Sequence, residues 1–179
     1  MKTTLITGGA RSGKSRLAQE LALKAGGSVL FVATAEPGDD DMKERIENHR
    51  RNRPAGWTTL EVTTRVGPEI TRNIGKARTV IIDCVTLLVS NIFQEHEGAD
   101  APALEKAVTA EVAGLIECIE RCDARFFIVT NEVGLGIVPA DRLSRLYRDL
   151  LGRANQLLAA SADEVLFMAA GIPIAVKKP

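Results

Sequence analysis

At 179 residues, 45% of them hydrophobic, the chain has the size of a single domain (1–179) and enough apolar matter to bury a continuous core without disulfides or metals. Its 23 basic residues balance 23 acidic ones, which excludes a global field for nucleic acid or an anionic membrane surface. The chain enters a strand directly after Met1-Lys2-Thr3, shows neither a signal nor a transit peptide pattern, and has no apolar run near the ~18 residues of a membrane helix, so a cytoplasmic protein is expected.

The first predicted element is a short strand at residues 4–7. It runs into Gly8-Gly9-Ala10-Arg11-Ser12-Gly13-Lys14-Ser15, which fits G-x-x-x-x-G-K-[ST] at every required position, with a helix predicted to begin at Arg16. Strand, glycine-rich turn and helix together make a P-loop. Its glycines let several backbone N–H groups point into one concavity, and the helix adds the positive end of its dipole. Lys14 is then the ligand of β- and γ-phosphates, and the Ser15 hydroxyl a ligand of Mg²⁺. This motif specifies a nucleoside triphosphate and says nothing of what is done with it.

Leu17, Ala18, Leu21, Ala22 and Ala25 recur at helical spacing, and Gly26-Gly27 ends that helix. Residues 28–33 form a continuous apolar run, as expected of a strand covered on both faces. At its carboxyl end Ala33, Thr34 and Ala35 are either nucleotide contacts or an ordinary connection, since ligands of open parallel sheets gather at that edge. Residues 39–53 predict a helix with Asp39, Asp40 and Asp41 at its start and Arg45, Arg50, Arg51 and Arg53 crowding its end, closed by Pro54. His49 lies on it. A lone helical histidine is ordinarily a surface or packing residue, but the adjacent arginines open a second role, attack on a phosphorus atom whose oxygens they would neutralise.

Residues 57–62 read as a short strand with Leu60 and Val62 on one face and Glu61 on the other, and residues 66–76 as an amphipathic helix. Residues 79–84 are an apolar strand ending at Asp83, a position that suits either a turn residue or a Walker B acid supporting Mg²⁺ opposite Ser15; Cys84 and Thr86 read as packing and capping residues. A helix at 87–93 precedes a polar loop, 94–102, which holds His96 without an assigned role. The helix at 103–121 buries Leu104, Val108, Val112, Leu115 and Ile119. Cys118 and Cys122 share its face but have no further pair or histidine to complete a zinc set, and three cysteines do not make a disulfide framework.

A strand at 125–130 delivers the chain to residues 131–139, where two glycines, Asn131, Glu132 and Pro139 predict a shaped loop beside the nucleotide. Asp141 caps a helix to Ala160 whose predicted core stripe is Leu143, Leu146, Leu150, Ala154, Leu157 and Leu158. Two closing strands around Gly171 predict an antiparallel pair at the sheet edge. The alternation of strands and helices calls for an α/β P-loop NTPase of RecA-like type: a three-layer sandwich, mostly parallel, with that antiparallel C-terminal edge pair.

Three segments together resemble the bifunctional adenosylcobinamide kinase / adenosylcobinamide-phosphate guanylyltransferase family: residues 8–16, Arg45-Ile46-Glu47-Asn48-His49-Arg50-Arg51-Asn52-Arg53-Pro54 with Trp57, and Thr130-Asn131-Glu132-Val133-Gly134-Leu135-Gly136-Ile137-Val138-Pro139. Residues 152–156 and 162–165 are similar as well. The resemblance implies that a nucleoside triphosphate, GTP or ATP, phosphorylates adenosylcobinamide, and that GMP passes from GTP to the resulting phosphate through a guanylyl-histidine. It makes His49 the nucleophile and Lys14 its catalytic partner. It also places guanine nucleotide contacts at Ala33, Thr34, Ala35, Arg50, Arg51, Asn52, Arg53, Glu61 and Asp83, and implies a trimer. Two rivals remain at this level: a P-loop small-molecule kinase without a covalent intermediate, and a RecA-like nucleic-acid binder. One Trp, one Tyr and five Phe give the second few stacking platforms.

Overall fold

The computed structural model describes residues 2–36, 38, 43, 47, 51 and 53–178. The helix predicted at 39–53 therefore falls mostly outside the described residues, and His49, Arg50 and Asn52 with it; Lys43, Glu47 and Arg51 are described, each with helical backbone.

Seven strands form one sheet: β1 (Thr3–Gly8), β2 (Val29–Ala33), β3 (Thr58–Glu61), β4 (Thr79–Asp83), β5 (Arg125–Val129), β6 (Glu164–Ala169) and β7 (Ile172–Lys177). Their order is β3-β2-β4-β5-β1-β6-β7. All neighbours are parallel except the β6/β7 hairpin, which forms the predicted antiparallel edge. Among the described residues five helices can be bounded: α1 (Lys14–Ala25), α2 (Val66–Asn73), α3 (Val85–Glu95), α4 (Ala101–Arg121) and α5 (Arg142–Ser161).

Side-chain alternation along the strands divides the core into two layers. Leu5, Leu30, Val32, Val80, Ile82, Phe126 and Ile128 pack against α2, α3, α4 and α5. Ile6, Phe31, Ala33, Ile81, Phe127 and Val129 face the other way, onto Ala18 and Ala22 of α1. Every residue of β2 is buried, as its unbroken apolar run requires of a strand with helices on both faces. Among the described residues no helix is long and apolar enough to cross a membrane.

Caps fix the helix ends. Asp100 accepts the Ala103 N–H (3.0 Å) at the start of α4, and Asp141 accepts the Ser144 N–H (2.7 Å) at the start of α5, as its position predicted. α2 has no cap of its own; the Glu111 carboxylate of α4 accepts the N–H groups of Arg65 (2.8 Å) and Val66 (2.7 Å) instead.

Two expectations change. The polar loop predicted at 94–102 is shorter: α3 continues to Glu95, and Ala101-Pro102 already begin α4, because proline suits a first helical turn. Leu143 does not join the core stripe and is 61% exposed. The stripe of α5 deepens only along the helix, through half-buried Leu146 to buried Leu150, Ala154 and Leu158.

Candidate functional site

β1 ends where a side chain cannot. A Cβ on Gly8, at φ 146°, would stand 2.5 Å from the Met168 carbonyl of β6, and Gly13 adopts φ 94° to turn the chain into α1. Neighbouring segments hold this turn from both sides. Gly171 of the β6/β7 turn donates its N–H to the Ser12 carbonyl (3.1 Å), and Glu132 donates its N–H to the Gly8 carbonyl (3.0 Å).

Lys14 is curled into the turn it completes. Its ammonium donates to the Gly9 carbonyl (2.6 Å) and approaches Ser12 Oγ (3.5 Å). Burial lowers its pKa below the usual lysine value, with the Asp83 carboxylate pulling back toward the charged form. The ammonium is held in an enclosed place suited to an anion.

The sheet register sets a second row of side chains at the same carboxyl edge. Glu61 pairs with Ala33, Ala33 with Asp83, and Asp83 with Val129. Paired residues of parallel strands point to the same face, so this row lies on the α1 side with the P-loop. Glu61 and Asp83, two strands apart, are separated by ~10 Å.

P-loop and row open onto one cleft of about 600 Å³, a size suited to a nucleotide. Ala10, Arg11, Ser12, Gly13, Lys14, Ser15, Ala33, Ala35, Arg53, Glu61 and Asp83 line it, all of them expected from sequence. Gly8 and Gly9 shape the turn without lining the cleft. Thr34 is fully buried. Its hydroxyl donates to the Cys84 carbonyl (2.7 Å) and accepts the Cys84 N–H (2.8 Å), which ties the tips of β2 and β4 together. Arg51 is also not among the lining residues and pairs with Glu47 at 3.0 Å.

Lys43, Glu47, Phe31, Thr86, Leu87 and Asn131 line the cleft as well. Lys43 and Glu47 were legible in principle, since a four-residue spacing puts both on one helix face. Arg53 lays its guanidinium 4.0 Å from the centre of the Phe31 ring, and Trp57 stacks on Phe31 in turn. Cys84 also lines the cleft, but desolvation and then the Asp83 charge push its thiol up to about 11. It is protonated at neutral pH and unfit as a nucleophile. A second hollow of about 520 Å³ shares Ala35 and Glu61 with the first and adds Glu36, Arg65 and Glu69.

Comparisons with known proteins agree with this geometry. RadB recombinase superposes with a TM-score of 0.52 at 14% identity, over 93% of this chain and 73% of that one. The type III secretion ATPase EscN of enteropathogenic E. coli gives 0.58 at 12%, over 94% and 43%. Such distant likeness establishes the RecA-like P-loop fold alone. Closer relatives exist in sequence. The bifunctional adenosylcobalamin biosynthesis protein CobU of Escherichia coli K12 is 44% identical, covering 97% of this chain and 98% of that protein. Its Salmonella typhimurium counterpart is 42% identical over the same shares, and CobP of Pseudomonas aeruginosa is 40% identical over 97% and 96%. Residues 4–176 match the family profile described as cobinamide kinase / cobinamide phosphate guanyltransferase, and the chain belongs to that family.

Proposed function

We propose that this chain, as one cytoplasmic domain, phosphorylates adenosylcobinamide with a nucleoside triphosphate and then transfers GMP from GTP to adenosylcobinamide phosphate, with His49 as the covalent carrier. The observation that carries this reading is the composition of the cleft: residues on either side of His49 in the chain, Glu47 before it and Arg53 after it, line the same space as Lys14 and Asp83. A nucleophile supplied between them would meet a triphosphate held by the P-loop.

In the kinase step the terminal hydroxyl of the acceptor attacks the γ-phosphorus and gives up its proton to solvent, the bond to the bridging oxygen breaks, and the nucleoside diphosphate leaves with that electron pair. In the transferase step a neutral His49 nitrogen attacks the α-phosphorus of GTP and pyrophosphate departs. An oxygen of the acceptor's phosphate then attacks the guanylyl-histidine, which restores His49. Lys14 serves both halves. Triphosphate oxygens favour the charged form that burial disfavours, so a bound anion and the Lys14 ammonium stabilise each other.

Ser15 and Asp83 supply a hydroxyl and a carboxylate to one cleft, and among the described residues no three His, Cys, Asp or Glu side chains form a metal cage. Two hard oxygen donors with phosphate completing the shell suit Mg²⁺. When bound, Mg²⁺ neutralises charge on the phosphate oxygens. Arg53 and Glu61, with Arg50, Arg51 and Asn52 by family resemblance, hold the nucleoside and its phosphates. Ala33 and Ala35 provide the floor beside them, and Thr34 fixes its position. The working form is a homo-oligomer, a trimer by resemblance, and the exposed apolar side chains of Ile172, Ile174 and Val176 along β7 support an assembly.

Incubation with Mg²⁺ and GTP labelled at the α-phosphorus is expected to give an acid-labile, alkali-stable protein adduct that is absent in His49→Ala. A label that persists in His49→Ala, or no label on the wild-type chain, sinks the covalent route and leaves a plain kinase.

A further inference from the structure

We infer that the loop between β5 and α5 carries the docking surface for the corrin macrocycle, seated on Leu135, Ile137 and Val138. The inference rests on the cobinamide reading just given and assigns it a place.

The loop grows out of the nucleotide cleft. Asn131 lines that cleft, and its carbonyl accepts a hydrogen bond from Asn155 Nδ2 (3.0 Å). The next residue, Glu132, donates its N–H to the Gly8 carbonyl of the P-loop, and its carboxylate accepts the Gly134 N–H (2.6 Å). Val133 turns inward against the core. At the far end Arg145 of α5 donates to the carbonyls of Pro139 (2.9 Å) and Ala140 (2.6 Å). The loop is thus tied at both ends.

Between those ties its side chains point out. Leu135 is 79% exposed and Ile137 97%, with Val138 beside them. Large apolar side chains left in water next to a polar site mark a ligand surface. A nucleoside triphosphate does not match them, because its phosphates, ribose and base are polar and the cations and carboxylates of the cleft already answer to it. The other substrate does match. Cobinamide joins a broad macrocycle with methyl-bearing faces to a slender arm that ends in the reacting hydroxyl. With the arm in the cleft beside Asn131, a face of the ring covers Leu135, Ile137 and Val138. One loop thereby connects the reacting end of the acceptor to its bulk.

The test is the double variant Leu135→Ser/Ile137→Ser, whose positions are solvent-exposed and outside the core. Steady-state kinase assays with cobinamide should show its KM raised at least about tenfold. The KM for the nucleotide, the self-guanylylation by GTP and the sedimenting mass should stay unchanged. An unchanged KM for cobinamide overturns the inference. A fall in sedimenting mass overturns it too, by showing that this face joins copies of the chain. A wild-type protein that turns over no cobinamide fails the functional reading itself, and that result is visible before any variant is made.

Discussion

Lys14 stands where its charge is unfavourable until a ligand arrives. Burial lowers its pKa, and the enclosed ammonium donates to the Gly9 carbonyl and Ser12 Oγ. Lys14→Met keeps the shape and removes the charge. Turnover in both reactions should fall by about a hundredfold or more, while the melting temperature of the ligand-free protein, read by calorimetry, should not drop. Asp163 behaves oppositely. Its carboxylate accepts the N–H groups of Lys2 (2.6 Å) and Thr3 (2.9 Å), and these hydrogen bonds, Lys2 first, hold its pKa below the ordinary 3.8. A depressed carboxylate contributes stability that is present above its unfolded pKa and disappears as pH falls through the folded one. Asp163→Asn should therefore melt of the order of 2 °C below wild type at pH 7, the small effect of an exposed group, and the gap should close in acid below 3.8. That Lys14, Ser15 and Asp83 line one cleft was readable because each stands at a position its local motif specifies. The inward turn of Thr34 was not, since its partner Cys84 lies 50 residues away.

At the scale of elements, the α2/α4 crossing shows what periodicity conceals. A Cβ on Gly67 would fall 2.3 Å from the Gly114 carbonyl oxygen, yet one on Gly114 would meet nothing within 4 Å. Two glycines at one contact should thus answer differently. Gly67→Ala forces two backbones apart and should cost about 1–3 kcal/mol. Gly114→Ala adds helix propensity in open space and should be neutral or gain up to about 1 kcal/mol. Urea denaturation of both variants decides it, and equal effects would refute the asymmetry. The stripe of α4 was legible in full, because Leu104, Val108, Val112, Leu115 and Ile119 repeat at helical spacing and all are buried. Leu143 had the same spacing and failed, because periodicity tells which face a residue occupies and not where along the helix the core begins.

At the scale of the molecule, alternation of strands and helices foretold a parallel sheet, and the short link at Gly171 its antiparallel edge. The order β3-β2-β4-β5-β1-β6-β7 was not legible: β2, β4 and β5 are apolar runs of equal length that could be exchanged without offending any local rule. That order matters because the cleft takes residues from the turn between β1 and α1 and from the ends of β2, β3, β4 and β5, so a ligand there joins segments remote in sequence and stabilises the whole folded state. At a hundred times its Kd a ligand adds about 2.7 kcal/mol, and a chain of this length shifts by about 2–4 °C per kcal/mol. GTP with Mg²⁺ should accordingly raise the melting temperature by about 5–10 °C. Gly67→Ala should start lower and keep the full increment, since its defect lies in the helix layer on the opposite face of the sheet. Lys14→Met should start no lower than wild type and lose most of the increment. A full increment in Lys14→Met would mean that the triphosphate is held elsewhere than in the turn between β1 and α1.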